Sequence, residues 1–438
     1  MKKIHFIGIL GSGSFRAALA AKRLGFEVSG CDLKSDTPYS QHILDAGIPV
    51  ENGHDPKHLD GQDIIAVSPA LIEQNIQFPE FDAAMASDKM IKWQDFIGTY
   101  ILPKMKSAAI LATHGKTTTS SILAYILKKA GMTPTCFIGA HVPQLDEDTE
   151  SGEHRIASET NESEWAVIEA DEYANNFQSY RPNFIALNNL EMEHPEYFTD
   201  FEHYKSVFRE LLSKQSPDTV LFYNAGDKNI PDVLREFKGV IFSYTAGDLG
   251  DMTIKLPGDH NRLNAAAATV LARAIGISDD IIRTALAEFK GAGHRMDKIY
   301  ERDNVAIFDD YAHHYSQAKA TITSIRESYW DRKLIVIFEP HQISRYKNDT
   351  QATLTALNAA DVAIITEFWR GREPHLAIPN VNADIKKYRT IHVKYIPDID
   401  KTIQAAIAEI DGPAVILVMG AGQSYKIANK IKDILLSN

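Results

Sequence analysis

Three times along this chain an apolar run of strand length passes into a glycine-bearing turn and then into a helix-forming segment. The first is Ile4-His5-Phe6-Ile7, followed by Gly8, Gly11 and Gly13 and a helical pattern from about Phe15 to Leu24. The second is the apolar stretch 107–112, which enters Gly115-Lys116-Thr117 ahead of a helical segment, Ser120–Lys129. The third is Val415–Met419, ahead of Gly420-Ala421-Gly422. Strands that alternate with helices imply mostly parallel sheets covered on both faces. In open sheets of that kind, ligands gather beyond the carboxyl ends of the strands.

A chain of 438 residues is too long for one ordinary core, so several domains are expected. The predicted fold is α/β with three domains. They are a Rossmann-like domain over 1–105, a central phosphate-loop domain over 106–296 and a second Rossmann-like domain over 297–438. Further strands are expected at Glu27–Cys31, Asp63–Ser68, Trp165–Glu169, Asn183–Asn188, Val305–Phe308, Leu334–Phe338 and Val362–Thr366. Helices are expected near Phe201–Lys214, Asn264–Ile275 and Thr402–Ile410, and the acidic stretch Asp146–Glu153 reads as a solvated loop.

The formal net charge of −12 argues against a general nucleic-acid binder, which needs a basic face. Cys31 and Cys136 are the only cysteines, so neither a disulfide framework nor a thiolate metal site is expected, which fits a reducing cytosol. No run approaches 18 apolar residues, so no membrane span is expected. Met1-Lys2-Lys3 reads as the approach to a first strand rather than a signal peptide, because Gly8, Gly11 and Gly13 interrupt the apolar run behind it. A cytoplasmic location is expected.

Gly115-Lys116-Thr117 at a helix start is the layout of a phosphate-binding loop. Backbone N–H groups cradle phosphate oxygens, Lys116 supplies a charge, and the Thr117 hydroxyl suits Mg²⁺. The pattern is incomplete, because Ile110 stands where the full motif has glycine. The plain alternative is a lysine that packs its stem at a helix start. Glu169, Asp171 and Glu172 end a strand, where carboxylates hold a phosphate-bridging Mg²⁺ or simply form an acidic loop. Asn188, Asn189, Glu191, Glu193 and His194 end the next strand, with His194 either a ligand or an ordinary histidine. His260, Asn261 and Asn264 open a helix and suit either an adenine edge or a cap. Asp309-Asp310-Tyr311-Ala312-His313-His314 follows an apolar strand, and His341 with Arg345 repeats that placement, the arginine able to grip a carboxylate.

Taken in order, these motifs resemble the Mur ligase family, the ATP-dependent amino-acid ligases of peptidoglycan precursor synthesis. The likeness spans the chain, from Thr113-His114-Gly115-Lys116-Thr117-Thr118 through Gly258-Asp259-His260-Asn261 and Gly293-His294-Arg295 to Gly420-Ala421-Gly422. Within the family, His5 to Gly13 and Asp32 look like the ligases that start from UDP-N-acetylmuramate. The resemblance implies catalytic roles for Lys116, Glu169, His194 and Arg295. It implies ATP contacts from Thr113, His114, Gly115, Lys116, Thr117, Thr118, His260, Asn261, Asn264, Arg295 and Asp310. UDP-sugar contacts would come from Gly8, Gly11, Ser12, Gly13, Ser14, Asp32 and Ser68, and acceptor contacts from His313, His341 and Arg345. Two Mg²⁺ ions are implied, with Thr117, Glu169 and His194 as ligands.

The implied reaction joins an amino acid, L-alanine first, to the lactyl carboxylate through an acyl phosphate. A tripeptide acceptor is the alternative within the family, and a non-catalytic nucleotide-binding protein the alternative outside it. The expected partners are small molecules only, with no nucleic acid or membrane, acting on a monomer or homodimer. Departures from the family pattern are Ala112 for a loop glycine, Glu193 for aspartate, His294 for arginine, Tyr315 for proline, and Gln342 for an arginine that binds the acceptor carboxylate.

Overall fold

A computed structural model describes residues 1–11, 13–33, 40–73, 77–140, 142–146, 164–195, 197–293, 295–370, 373 and 375–437. Ser12, His294 and most of the acidic stretch Asp146–Glu153 lie outside the described residues. The chain forms two compact units, one built from Met1–Glu193, Tyr197–Thr253 and Leu263–Phe289, the other from His194–Glu196, Ile254–Arg262 and Lys290–Asn438.

The first unit holds two parallel sheets. One consists of β1 (Lys3–Ile7), β2 (Glu27–Asp32), β3 (Val50–Asn52), β4 (Ile64–Val67) and β5 (Met90–Lys92), in the order β3-β2-β1-β4-β5. β1 lies between β2 and β4 with Ile7 opposite Cys31 on one side and Val67 on the other. The second sheet consists of β6 (Lys106–Leu111), β7 (Thr135–Phe137), β8 (Trp165–Glu169), β9 (Phe184–Leu187), β10 (Val220–Asn224) and β11 (Val240–Tyr244), in the order β11-β10-β9-β6-β8-β7. The chain leaves β1 toward β2 and β4 toward β5, so its connections diverge between β1 and β4; in the second sheet β6 leads to β7 on one side while β8 and β9 lead to the other, so the connections part at β6. Such switch points open a crevice at the carboxyl ends of the strands.

The two sheets share one apolar core that runs from Ile4, Phe6 and Phe15 through Phe96 and Ile97 to Ile168, Leu187 and Phe208. Their seam is tight at Gly98, where an added Cβ would sit 2.6 Å from the Ser179 carbonyl oxygen. Arg23 crosses the seam to Thr135 Oγ1 (3.1 Å) and Lys92 to the Ala174 carbonyl (2.7 Å).

The second unit holds the third sheet, with strands β12 (Asp297–Arg302), β13 (Val305–Asp310), β14 (Lys333–Phe338), β15 (Val362–Ile365), β16 (Val393–Tyr395) and β17 (Ala414–Met419). Their order is β12-β13-β17-β14-β15-β16, and only β12 runs antiparallel to its neighbour. The period of two sends Val336, Phe338, Val415 and Leu417 into one apolar layer and Ile335, Ile337, Ile416 and Val418 into the other. Both faces are dry, so these strands read as unbroken apolar runs.

The expected long strands and helices are present, with two kinds of difference. The helix after the phosphate loop begins at Lys116 rather than Ser120, and the helix expected from Asn264 begins at Asp259. Polar first turns hide a helix start because hydrogen-bonding side chains interrupt the apolar period even where, as at Thr117 to Thr119, they are buried. The short strands β3, β5, β7 and β16, the edge strands β11 and β12, and the interior strand β10 lay outside the expectation. Three residues are too few to carry a period, and β12 is an edge strand whose side chains are exposed or half-buried.

Candidate active site

The phosphate loop joins the end of β6 to the helix Lys116–Lys129, and Gly115 makes the join with φ +82°. An added Cβ there would lie 2.3 Å from Asn264 Oδ1, so glycine is required both by the backbone angle and by that contact. The loop is pinned by the segment after β9. The Asn189 amide accepts from the His114 N–H at 2.7 Å and donates to the His114 carbonyl at 2.8 Å. Thr113 Oγ1 accepts from the Glu191 N–H (2.8 Å), and the Thr113 N–H donates to the Asn189 carbonyl (3.0 Å). Thr119 Oγ1 receives Asn188 Nδ2 at 2.8 Å and lies 3.2 Å from Asn264 Oδ1. The first N–H groups of a helix lack intrahelical acceptors, so this braced helix end is a ready anion cradle.

Lys116 is largely buried and folds back over its own loop. Its ammonium donates to the carbonyls of Ala112 (2.6 Å) and Thr113 (3.2 Å) and to Glu172 Oε2 (2.8 Å). Burial alone would push its pKa down, but the charges of Glu172, Asp171 and Glu169 and the Glu172 hydrogen bond outweigh it, so the lysine is held above its ordinary value. Glu172 is fully buried and receives the Tyr204 hydroxyl on its other oxygen at 2.8 Å. Tyr204 also meets Thr113 Oγ1 at 2.9 Å, which closes a network of lysine, glutamate, tyrosine and threonine. Tyr204 was not legible in the sequence, because one aromatic on the apolar face of a helix reads as core.

Thr117 Oγ1 donates to Glu169 Oε1 at 2.7 Å, and Glu169 Oε2 accepts the Gly139 N–H at 2.7 Å. A hydroxyl beside a carboxylate at the carboxyl end of β8 is a hard-oxygen pair, the donor type that Mg²⁺ selects. Gly13, Arg16, Trp93, Lys116, Phe137, Ile138, Gly139, Glu169, Asp171 and Tyr180 line one cleft of about 230 Å³. That cleft brings the glycine turn of the first sheet and the phosphate loop of the second to one space. Arg16, on the helix Ser14–Arg23, is a further lining residue that the sequence reading did not single out.

In the first sheet, Gly8 (φ +78°) and Ile9 donate their N–H groups to the Cys31 carbonyl at 2.9 and 3.2 Å. The Asp32 carboxylate accepts the Leu10 N–H at 3.0 Å, and the Gly11 N–H reaches the Gly8 carbonyl at 3.2 Å. A Cβ on Gly13 would lie 2.2 Å from the Trp93 ring, so that side chain seats directly on the turn. Ser14 is buried at the helix start, and Ser68 follows β4 beside the end of β1.

The second unit holds the remaining candidates. Asp310 is buried at the end of β13, where its carboxylate accepts the N–H groups of Met296 (2.7 Å) and Ala312 (2.8 Å). Burial pushes its pKa up, against the Arg295 charge and those two donors, and the net shift is upward. The Arg295 guanidinium lies 4.6 Å from the centre of the Tyr311 ring. His260 is held below the usual histidine range by burial, with Asp259 opposing, and Asn261 Nδ2 donates to the Pro257 carbonyl at 2.8 Å, a local turn bond. His194, in the left-handed region at φ +54°, clusters with this unit, whereas Lys116, Thr117 and Glu169 lie in the first. His313 and His341 stand edge to face with 5.1 Å between ring centres. Arg345 donates to His341 Nδ1 at 2.9 Å, which puts the His341 proton on Nε2. His313 Nδ1 donates to the Tyr311 carbonyl at 2.9 Å, which leaves its lone pair on Nε2.

Three family models match the chain: the Mur ligase family catalytic domain over residues 3–91, the Mur ligase middle domain over 112–245, and the Mur ligase glutamate ligase domain over 294–422. A UDP-N-acetylmuramate–L-alanine ligase from Caldicellulosiruptor bescii is 30% identical, covering 100% of this chain and 98% of its own. Among solved structures, a UDP-N-acetylmuramate–alanine ligase from Thermotoga maritima aligns at a TM-score of 0.75 with 23% identity over 100% of both chains. A murein peptide ligase from Psychrobacter arcticus aligns at 0.70 with 23% identity over 99% of both. With its phosphate loop braced against the carboxyl edge of a parallel sheet and its full length matched, the chain belongs to the Mur ligase family and is an ATP-dependent amide-forming ligase.

Proposed function

We propose that this ligase joins L-alanine to the lactyl carboxylate of UDP-N-acetylmuramate, at the expense of ATP, in peptidoglycan precursor synthesis. The observation that carries the reading is the cleft shared by Gly13, Arg16 and Trp93 with Lys116, Glu169 and Asp171. A sugar nucleotide held on the first glycine turn would extend its acid toward the phosphate loop of the second sheet. Residues 1–105, 106–296 and 297–438 would then serve as UDP-sugar, ATP and acceptor domains, and each range contains one sheet.

In this reading Gly8, Gly11, Gly13 and Ser14 wrap the UDP diphosphate, with Asp32 and Ser68 at the sides. Thr113 to Thr118 and the helix N-terminus bind the ATP phosphates, and His260, Asn261, Asn264 and Asp310 bind the nucleoside. Lys116 exchanges its Glu172 and carbonyl partners for the phosphate as the anionic carboxylate attacks, and Arg295 adds a second cation. Repulsion between two anions is the main barrier, so fixed positive charge in a dry cleft is where stabilisation is greatest. Thr117 and Glu169, joined by Mg²⁺-compatible oxygens, would hold one ion and His194 a second; bound Mg²⁺ neutralises charge on the transferring phosphoryl group. Attack on the γ-phosphorus would break its bond to the bridging oxygen and release ADP; the acceptor amine would then attack the acyl carbon, lose a proton and expel inorganic phosphate, leaving the amide. Arg345 orients the acceptor, and His313, with its lone pair on Nε2, is better suited than His341 to take the amine proton. The enzyme would work in the cytoplasm on small molecules; among the described residues no helix is long and apolar enough to cross a membrane.

A peptide acceptor is a second reading, and Gln342 favours it. This residue replaces the arginine of the resemblance and is buried at φ +69°, its N–H on the Trp369 carbonyl at 3.0 Å. Phosphate release with UDP-N-acetylmuramate, ATP and Mg²⁺, run in parallel with L-alanine and with L-alanyl-γ-D-glutamyl-meso-diaminopimelate, separates the two. Release with L-alanine is expected; release only with the tripeptide reassigns the acceptor, and release with neither removes the reading.

A further inference from the structure

Away from the cleft, the first sheet buries a group of side chains that the ligase reaction does not use. Alternation along β1 and β2 places His5, Ser29 and Cys31 on the face that also carries Ile7, Ile65 and Val67. That face is covered by the helix Pro79–Met85, which brings Glu80, and by the short turn Pro56–Leu59, which brings His58. Cys31 and Glu80 are completely buried and His5 is 1% exposed.

Their donor atoms converge. Cys31 Sγ lies 3.1 and 3.4 Å from the two Glu80 oxygens, His5 Nε2 lies 3.4 Å from Glu80 Oε1, and His58 Nδ1 lies 3.1 Å from the same oxygen. One ligand atom from each of the four residues falls within 4.8 Å of every other. A tetrahedral zinc site with bonds of about 2.0–2.3 Å has neighbouring ligand atoms about 3.3–3.8 Å apart. The cluster already approaches that spacing. His5 Nε2 is buried and aimed into the group, yet it forms no hydrogen bond there.

The surroundings orient these donors as a second coordination shell does. His5 Nδ1 meets Ser29 Oγ at 2.9 Å, which turns Nε2 inward, and Gln62 Nε2 supports the same hydroxyl at 3.4 Å. His54 Nδ1 lies 2.9 Å from Glu80 Oε2 and 3.2 Å from Cys31 Sγ, and its ring stacks on Phe78 at 4.3 Å. Among the described residues, the Asp55 N–H opposes this arrangement at 3.4 Å from His58 Nδ1, a bond at the limit of length.

We propose that His5, Cys31, His58 and Glu80 bind one structural divalent ion of the zinc class, with His54 as a supporting residue. Sulfur and imidazole donors select a borderline metal, whereas the Thr117–Glu169 pair offers hard oxygens suited to Mg²⁺, so the two sites take different ions. The ion ties β1 and β2 to the turn and helix that cover them. It also braces the glycine turn, because the Cys31 carbonyl holds the N–H groups of Gly8 and Ile9 and the next residue, Asp32, holds that of Leu10. The cysteine count gives the expectation of no thiolate metal site, which the proposed site reverses; a mixed set from four separate segments has no spacing to read along the chain.

The test uses the full, untagged chain, stripped with a chelator and titrated with Zn²⁺ and with Co²⁺. One equivalent of Co²⁺ is expected to produce a sulfur-to-cobalt charge-transfer band and tetrahedral visible absorption. Cys136→Ser should keep the band and Cys31→Ser should lose it. Zn²⁺ should raise the unfolding temperature of the wild type, and Glu80→Gln should weaken Zn²⁺ binding by at least about 10-fold. His58→Gln, at a part-exposed position, is the second arm if Cys31→Ser does not fold, and it too should weaken Zn²⁺ at least about 10-fold. Absence of the band in folded wild type overturns the proposal. So does a band that survives Cys31→Ser, one that is lost in Cys136→Ser, or Zn²⁺ affinity unchanged in His58→Gln. Each of those outcomes would mark the cluster as a hydrogen-bonded network only.

Discussion

Lys116 shows how one residue serves both the fold and the reaction. It neutralises the buried Glu172 at 2.8 Å, so removing it affects stability as well as rate. Lys116→Ala is expected to lower kcat by about 10²-fold or more while UDP-sugar affinity, set on the first sheet, stays nearly constant. The same change strands a buried carboxylate and should destabilise the protein by about 3–5 kcal/mol. Steady-state kinetics with a parallel urea titration checks both. Gly115 and Gly131 make a matched pair, with φ of +82° and +77°. Alanine at either forces a left-handed backbone, about 1–2 kcal/mol. Only Gly115→Ala also drives a methyl to within 2.3 Å of Asn264 Oδ1, whereas nothing lies within 4 Å at Gly131. Gly131→Ala should therefore lose only the backbone amount in urea and keep its ATP affinity, and Gly115→Ala should lose more stability and most of its ATP binding.

At the scale of elements, the sites follow from where strands end and connections part. Gly8 and Ser68 follow adjacent strands at one switch point, and Lys116 and Glu169 belong to another. The third sheet has its own anchoring of elements in Asp361, whose carboxylate accepts the Leu334 N–H at 2.7 Å and Arg326 Nη2 at 2.8 Å. Burial pushes this acid up, but the Leu334 donor and the Arg326 guanidinium outweigh burial and hold its pKa below the usual carboxylate value. A depressed folded pKa favours the ionised form in the native state. The contribution is therefore complete above the unfolded value of about 3.9 and is lost as pH falls through the folded one. The stability gap between wild type and Asp361→Asn should be present at neutral pH and shrink as pH falls below about 4, as read by urea unfolding across that range. The gap is modest, because the Arg326–Asp361 pair is partly exposed.

Across the whole molecule, the first two sheets behave as one body because their cores merge and their seam excludes even a methyl group. Gly98→Ala would press a carbon against the Ser179 carbonyl and should cost about 1–3 kcal/mol by overpacking. Gly412→Ala, with nothing within 4 Å, is the matched control and should leave the unfolding temperature nearly unchanged. A calorimetric scan of both variants distinguishes a required close approach from an incidental glycine. The long central strands and the phosphate loop were legible because both faces of such a strand are dry and because a helix entered through glycine leaves a compact signature. The short strands, Tyr204, Arg16 and the His–Cys–Glu cluster were not, since each acquires its meaning from a neighbour far along the chain.

By itself the sequence determined the α/β class, the repeated strand-turn-helix units, the phosphate loop and membership of an ATP-dependent ligase family. The first three rest on local apolar period and on glycine geometry, which are set within about a dozen residues, whereas the family rests on the resemblance carried by the ordered motifs along the whole chain. Tertiary structure alone decided that Lys116 is held by Glu172 and Tyr204, that Trp93 seats on the Gly13 turn, and that His5, Cys31, His58 and Glu80 meet. Contacts of that kind come from the order in which strands enter a sheet, and strand order is a property of the packed chain that no local pattern records.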